Sequence, residues 1–588
     1  MKHRVALIAL LLMIAVLTGC GPTPTPEPAP VATSSKPVEE PTATAPPTAT
    51  ASPTKEPPTV TAPPIQDPAW WDDAVFYEVF VRSFYDSDGD GIGDLQGLTQ
   101  RLDYLNDGDP TTTDDLGITG LWLMPIAQSP SYHGYDVVDY YTVEEDYGAN
   151  EDFHTLIAEA HARGIRVIVD LVLNHTSSAH PWFVDASAGP EAEYRDWYVW
   201  SEEHPGYMGP WRQKVWHRHG EAYYYGIFWQ GMPDLDYRNP EVTAAAYDVA
   251  RFWLEEMGAD GFRLDAVRHL IEDGQQQADT PQTHAWLTDL DRFTDGISPE
   301  VLTVGEVWAD TADVVPYVAN DELDLCFEFN LAEAIVRSVN DGTPTAFRHC
   351  LEEVLSTYPS GQYATFLTNH DQDRVMSQVG GNPDEARLAA TILLTLPGVP
   401  FIYYGEEIGM VGHKPDEMIR TPMQWSAGEN AGFTTGRPWE PVNDDYETVN
   451  VATKTAAPGS LLNRYRRLIH LRDEHVALRR GGLAPVKSSC HPVYGFLRQH
   501  PSAGSGQGEE ESVLVLLNLS ATEQGGCSFA LPQSRLAPGD YAVRELLTGV
   551  TVPGLTVDEN GGFSGYVPLE TLTPQEGYIL LLEPAGNW

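Results

Sequence analysis

The sequence is short of positive charge. Lys and Arg number 35 against 85 Asp and Glu, a formal net charge of −50. A surface of that sign repels phosphate backbones, which argues against nucleic-acid binding and suits a neutral ligand or a cation. Cysteine is scarce too. Cys20, Cys326, Cys350, Cys490 and Cys527 form no CxxC pair, so a zinc site has little support. With Cys20 set aside, the other four allow three full pairings, and free buried thiols are equally compatible. No internal repeat is apparent. What the chain does have is length and apolar content. Its 588 residues, 42% of them apolar, call for two or three domains with a large core. Fifteen Trp and 27 Tyr serve either as core packing or as stacking platforms for flat ligand faces such as sugar rings.

At the N-terminus, Lys2 and Arg4 precede an apolar run from Val5 to Leu17. That run is too short for a bilayer, which takes about 20 residues, but fits the core of a signal peptide. It ends in Leu17-Thr18-Gly19-Cys20, which resembles the bacterial lipobox, with Cys20 as the lipidated residue. Residues 1–20 therefore read as a lipoprotein signal. Residues 21–66 are mostly Pro, Thr, Ala and Ser, as in PTPTPEPAP, and lack the large apolar residues a core needs. At about 3.1 Å per residue, such a tether reaches on the order of 100 Å. The expectation is a secreted protein, lipid-anchored at the cell surface, meeting the membrane only through that anchor and acting as a monomer.

From Trp70 onward, eight short apolar runs alternate with helical patterns: AVFYEVFV, ITGLWLMPI, RVIVDLVLNH, GADGFRLDA, VLTVGEVW, DLCFEFN, YATFLTNH and VPFIYYGEE. Near-continuous apolar strands are those covered on both faces. Eight strand–helix alternations predict an α/β fold, a (β/α)8 TIM barrel, over 67–175 and 239–480. The residues 176–238, rich in Trp, Tyr and Gly, are too long for a bare loop and predict a small inserted subdomain after strand 3. Alternating strands such as ESVLVLLNLS over 481–588 predict a C-terminal antiparallel β-sandwich.

Barrel enzymes build their sites at the C-terminal ends of the strands. Polar residues interrupt the apolar runs there: Asp170, Asn174 and His175; Arg263 and Asp265; Glu306; Asn369, His370 and Asp371. Arg263 and Asp265 are two apart, so both face the barrel mouth while Phe262 and Leu264 face the helices. In this order DLVLNH, GFRLDAVRH, GEVW and FLTNHD resemble the four signature regions of the α-amylase family of glycoside hydrolases, family 13, and MPDLDY is similar to its fifth. The likeness runs from about Trp70 to the C-terminus.

The resemblance implies Asp265 as nucleophile, Glu306 as acid/base and Asp371 as the acid that orients the sugar. Two carboxyls about 5–5.5 Å apart suit a retaining mechanism. Sugar-binding roles carry over to His133 and Tyr135 in SYHGYD, to His175, His269 and His370, and to Asp416 and Arg420 in KPDEMIRTPMQW. Arg263 would keep Asp265 ionised, and Asp170 would support Arg263 rather than touch substrate.

Asp86, Asp88, Asp90 and Asp94 recur at even spacing with glycines between, and a hard cation takes six to eight oxygens. The segment resembles a structural calcium loop found after the first barrel strand in some family members, with Ile92 giving its carbonyl. Typical α-amylases hold another calcium through the Asn matching Asn174; the inserted segment differs enough to leave that site open.

Ala266 follows the nucleophile position, where family members acting on α-1,6 bonds tend to have Val, so α-1,4 bonds are favoured. Asp236 departs from the commoner MPDLN, and RTPMQW also occurs in glucosidase-like and isomerase branches. The expected activity is retaining endo-hydrolysis of α-1,4-glucosidic bonds in starch, glycogen or maltooligosaccharides. An exo-acting α-glucosidase or a transglycosylase/isomerase on short α-glucosides is the alternative. A non-catalytic binding or transporter-associated subunit would usually lack one of the three acids, and all three are present.

Overall fold

The computed structural model describes residues 69–500 and 510–585. Cys20 and the expected leader and tether lie outside the described residues. Among those described, no helix is long and apolar enough to cross a membrane.

Each of the eight apolar runs contains one barrel strand: β1 (Phe76–Val79), β2 (Gly120–Leu123), β3 (Arg166–Leu171), β4 (Gly261–Leu264), β5 (Leu302–Gly305), β6 (Leu325–Phe327), β7 (Tyr363–Thr365) and β8 (Val399–Tyr403). They close in the order β1-β8-β7-β6-β5-β4-β3-β2, all parallel. Alternate side chains point into the lumen. Phe76, Trp122, Ile168, Leu302, Val304, Phe327 and Phe401 fill it from below, with Phe76 stacked on Phe401 at 4.4 Å. Gly120 pairs with Phe76, and a Cβ there would come within 2.5 Å of the ring. Phe262 and Leu264 face the outer layer, which leaves Arg263 inside as the periodicity predicts.

The helix Pro240–Arg251 begins under an Asn239 cap with Pro240 in its first turn, and runs on as a π-helix over Phe252–Glu256. The long connection after β3 carries its own three-stranded antiparallel sheet, Trp200–Ser201, Trp216–His219 and Ala222–Tyr225. A small core of Val215, Trp216, Tyr225 and Ile227 supports it. The connection is fastened at its far end, where Leu235 N–H donates to Asn174 O at 3.0 Å.

Past the helices Leu461–Glu474 and Val476–Arg480, strands β9 (Gly482–Ser488), β10 (Val493–His500), β11 (Glu511–Asn518), β12 (Phe529–Leu531), β13 (Gly539–Glu545), β14 (Thr551–Val557), β15 (Phe563–Tyr566) and β16 (Glu576–Pro584) follow. They form one eight-stranded antiparallel sheet, β14-β13-β16-β11-β10-β9-β12-β15. The expected antiparallel sandwich is joined through one strand, because β9 pairs with β10 along Gly482–Val486 and with β12 at Lys487 and Ser488. Leu497, Leu514, Leu516, Phe529 and Leu580 share its core. Cys490 and Cys527 form a disulfide, while Cys326 and Cys350 are free and buried. The sequence had left that pairing open.

Candidate active site

A cavity of about 740 Å³ opens at the C-terminal ends of the strands. It collects His133, Tyr135, His175, Asp265, His269, Glu306, Asp371, Asp416 and Arg420, all expected from the sequence. Arg263 and His370 lie just beneath, 0% exposed.

The organising group is Arg263. Its Nη1 lies 2.8 Å from Asp170 Oδ1 and 2.8 Å from Asp265 Oδ1, and its Nη2 lies 2.8 Å from Glu306 Oε2. One buried guanidinium thus bridges the two carboxyls expected to do the chemistry. Asp170, fully buried, is the support that the sequence assigned. The backbone just after Asp265 turns left-handed at Ala266, φ 49° and ψ 32°, which is costly for a residue with a Cβ. That turn lets the Ala266 N–H donate to Glu306 Oε2 at 3.3 Å.

Burial raises the Glu306 carboxyl, Asp265 and Asp371 add to the effect, and Arg263 offsets part of it; the result is pushed up to about 8. Asp371 goes the other way. Burial works to raise it, but the His370 ring and Arg420 outweigh that and bring it down to about 2. Arg420 lies 2.8 Å from Asp371 and 3.4 Å from Asp416, and its Nε donates to His370 O at 2.9 Å. Two carboxyls on one floor are thereby driven apart, one toward the acid form and one toward the anion.

The histidines fall into distinct states. The Tyr135 N–H donates to His133 Nδ1 at 3.1 Å, so the proton of the neutral ring is on Nε2. Burial lowers His133, His175, His269 and His370 alike. His175 lines the cavity, yet its Nε2 is taken by the Tyr135 carbonyl at 3.0 Å. His269 Nδ1 is paired with Gln277 O at 2.7 Å.

The acidic loop comes together in part. Ligand oxygens of Asp86, Asp88 and Asp94 lie within 4.8 Å of one another. Asp90, expected among them, instead accepts the Ile92 N–H at 2.8 Å and stands outside that trio. Asp86 also accepts from Thr434 Oγ1 and from the Gly91 N–H, the latter at 2.8 Å, which ties the loop to the segment around Phe433.

Sequence reasoning missed several groups. Trp211, Phe228, Trp229 and Met232 enter the cavity from the insertion and Trp308 from beyond β5. Trp211, Trp229 and Trp308 are about half exposed, which is unusual for tryptophan. Trp308 directly follows the GEV of the Glu306 motif, a signal that was available. Beside Asn174, whose site the sequence left open, Asp234 and Glu272 were also missed as parts of a buried oxygen cluster under the insertion. Asn174 Oδ1, Asp234 Oδ2 and Glu272 Oε1 are each buried without a hydrogen-bond partner. Burial first, and then the Glu272 charge, raises Asp234 well above the usual carboxylate range.

Comparison with known proteins agrees with this geometry. Residues 78–481 match the family described as alpha amylase, catalytic domain. "Alpha-amylase 3" of Dictyoglomus thermophilum is 40% identical over 458 residues, covering 77% of this chain and 86% of its own. "Trehalose synthase/amylase TreS" of Mycolicibacterium smegmatis is 36% identical, covering 78% and 85%. The crystal structure of an alpha-amylase from H. orenii superposes with a TM-score of 0.73 at 41% identity, covering 87% of this chain and 99% of that one.

Proposed function

The chain belongs to the α-amylase family of glycoside hydrolases, and from that premise we propose that it hydrolyses α-1,4-glucosidic bonds within α-glucans with retention of configuration. The observation that carries the proposal is the Arg263 bridge, which sets Asp265 and Glu306 side by side on the floor of an open cavity. Asp265, ion-paired to Arg263, attacks the anomeric carbon. Glu306, kept protonated by burial, gives its proton to the leaving oxygen and then takes one from water, as retaining chemistry requires. Asp371, held as an anion, contacts the hydroxyls of the reacting sugar and stabilises the charge that develops on its ring. The Nε2–H of His133, with Tyr135, Asp416 and Arg420, holds the same sugar, and the exposed tryptophans at the mouth stack further rings. Internal attack is supported by the α-amylase names of the relative and of the solved neighbour.

The trehalose synthase/amylase relative favours a second reading, transfer or isomerisation on short α-glucosides. The distinguishing experiment is incubation with soluble starch and maltoheptaose beside Glu306→Gln. Early products are sized and their anomeric form is followed by NMR. A ladder of α-anomeric oligosaccharides, absent in the variant, supports the α-amylase. Glucose alone, longer products or trehalose moves the assignment to the second reading.

Calcium is proposed at two places. Oxygen-only donor sets suit a hard cation. Asp86, Asp88 and Asp94 offer one such set; Asn174, Asp234 and Glu272 offer another, with buried oxygens left unpaired. Bound there, calcium would brace the loop and the base of the insertion. Export and anchoring through a lipidated Cys20, with the protein acting as a monomer, complete the proposal.

A further inference from the structure

Below the cavity floor a chain of hydrogen bonds crosses the barrel from β1 to Arg263. Glu78 alternates with Tyr77 and Val79, so it points into the lumen, and it is 2% exposed. Its Oε1 lies 2.5 Å from His370 Nδ1. His370 Nε2 lies 2.7 Å from the Tyr135 hydroxyl, and that hydroxyl lies 3.0 Å from Asp170 Oδ2. Asp170 ends the chain on Arg263.

Counting hydrogens fixes the direction of the chain. Both Asp170 oxygens accept from Arg263 Nη1, at 2.8 and 3.0 Å, so toward Tyr135 this carboxyl is the acceptor. Tyr135 has a single hydroxyl hydrogen and spends it there. The Tyr135 oxygen must then accept from His370, and it also accepts from Arg263 Nη1 at 3.4 Å. His370 therefore carries a hydrogen on Nε2. Its Nδ1 either holds a lone pair facing a protonated Glu78 or a second hydrogen facing a carboxylate. Two features decide between them. Burial, the largest influence on both groups, opposes either charge; Asp371 favours an imidazolium and Arg263 favours a carboxylate, but Arg420 and Arg263 oppose the first and Asp371 and Asp170 the second. A sealed ion pair is also expensive to desolvate, whereas a neutral pair makes the same contact without that cost.

We propose that Glu78 is a positioning residue: a neutral carboxylic acid that donates to His370 Nδ1, keeps the His370 Nε2–H on the Tyr135 hydroxyl, and so holds Tyr135 in place at the sugar subsite beside Asp371. His370 Nε2 also lies 3.4 Å from Asp371 Oδ2, so the orientation of this ring bears on both Tyr135 and Asp371, which line the cavity. Burial acts in the same sense on both partners, raising Glu78 and lowering His370. A carboxylic acid or a primary amide can donate to His370 Nδ1, and a carboxylate cannot. The sugar-binding consequence rests on the proposed glycoside hydrolysis; the proton placement does not.

Two variants and one spectrum test it. Glu78→Gln keeps donor, acceptor and shape; Glu78→Leu keeps volume and removes both. On maltoheptaose, Glu78→Gln is expected to hold kcat/KM within about fivefold of the parent, and Glu78→Leu to lose about 50-fold. In ¹⁵N-histidine NMR of residues 67–588, the His370 signals, assigned by their loss in His370→Asn, should show a neutral ring protonated on Nε2 in the parent and in Glu78→Gln. A folded Glu78→Gln that falls as far as Glu78→Leu overturns the proposal, and so does an imidazolium or Nδ1–H signal in the parent. Should Glu78→Leu fail to fold, the glutamine variant and the spectrum still decide. A parent without activity on any α-glucoside would sink the proposed function, while the spectrum would still judge the proton on Glu78.

Discussion

Glu306 lies 2.8 Å from the Arg263 guanidinium, and its carboxyl is nonetheless pushed up to about 8. A cation so close would ordinarily depress an acid. Here burial outweighs it, and Asp265 and Asp371 add their charges on the same side. Arg263 is also shared, since its other nitrogen is committed to Asp170 and Asp265.

The pH dependence follows from that balance. A general acid must hold its proton, so kcat/KM should fall as pH rises through about 8, where Glu306 ionises in the free enzyme. Asp371 must stay ionised, and with its acidity near 2 it sets no limb in the neutral range. Glu306→Gln should lower kcat by about 1000-fold and abolish the alkaline limb of what remains. A pH–rate profile on maltoheptaose checks both; a rate that climbs steadily past pH 9 would refute the assignment.

Replacing Arg263 tests the bridge. Lys has the charge but only one nitrogen, so it cannot serve Asp265 and Glu306 together. Arg263→Lys is expected to cut kcat/KM by about 100-fold or more. Losing part of a buried pair costs about 3–5 kcal/mol, so thermal unfolding should shift clearly downward. Normal activity in the lysine variant would show that the bridge is dispensable.

Much of this was legible in the sequence because it is periodic. Strands covered on both faces advertise themselves as apolar runs, and acids at their ends stand out against that background. The parity of Phe262, Arg263, Leu264 and Asp265 was enough to place two of them in the lumen. What stayed hidden depends on contacts between distant segments. Glu78 is a lone acid within a strand, and its partner His370 is 292 positions away. Asp90 shares its spacing with Asp86 and Asp88, yet it stands outside the trio they form with Asp94, which spacing alone does not reveal. The join within the C-terminal sandwich depends on β9 changing partners midway, which no strand pattern reveals.

Calcium should act on stability. If the two oxygen clusters hold calcium, chelation lowers the melting temperature and added calcium restores it. A site filled at 100 times its dissociation constant contributes about 2.7 kcal/mol. Asp86→Asn removes a charge from the loop, and Asp234→Asn one from the insertion; each should weaken part of the calcium response. Differential scanning calorimetry with chelator and with calcium decides, and an unchanged melting point in both would refute metal binding.

The tryptophans at the mouth should matter more for long substrates than for short ones. Trp211 packs edge-on against His269 at 5.5 Å, and Trp308 stacks on Phe329 at 4.6 Å, so neighbouring rings hold each in place. Trp211→Ala and Trp308→Ala are each expected to lose about 1 kcal/mol of stacking, about fivefold in KM for maltoheptaose. Hydrolysis of a nitrophenyl α-glucoside should change less. Equal losses on both substrates would place these rings at the reacting sugar instead.

Ala266 joins specificity to backbone geometry. It lines the cavity beside Asp265 in a left-handed conformation, and its amide reaches Glu306. A β-branched side chain there adds bulk next to the reacting bond and strains the turn. Ala266→Val should therefore shift the ratio of kcat/KM for maltotriose over isomaltotriose by about tenfold toward the α-1,6 substrate, with a lower melting temperature from a strain of roughly 1–3 kcal/mol. Ala266→Gly separates the two effects. It relieves the strain and leaves the space open, so its melting temperature should hold while the ratio stays with α-1,4. If valine leaves the ratio unchanged and lowers only stability, Ala266 serves the turn alone, and linkage preference must come from residues of the insertion.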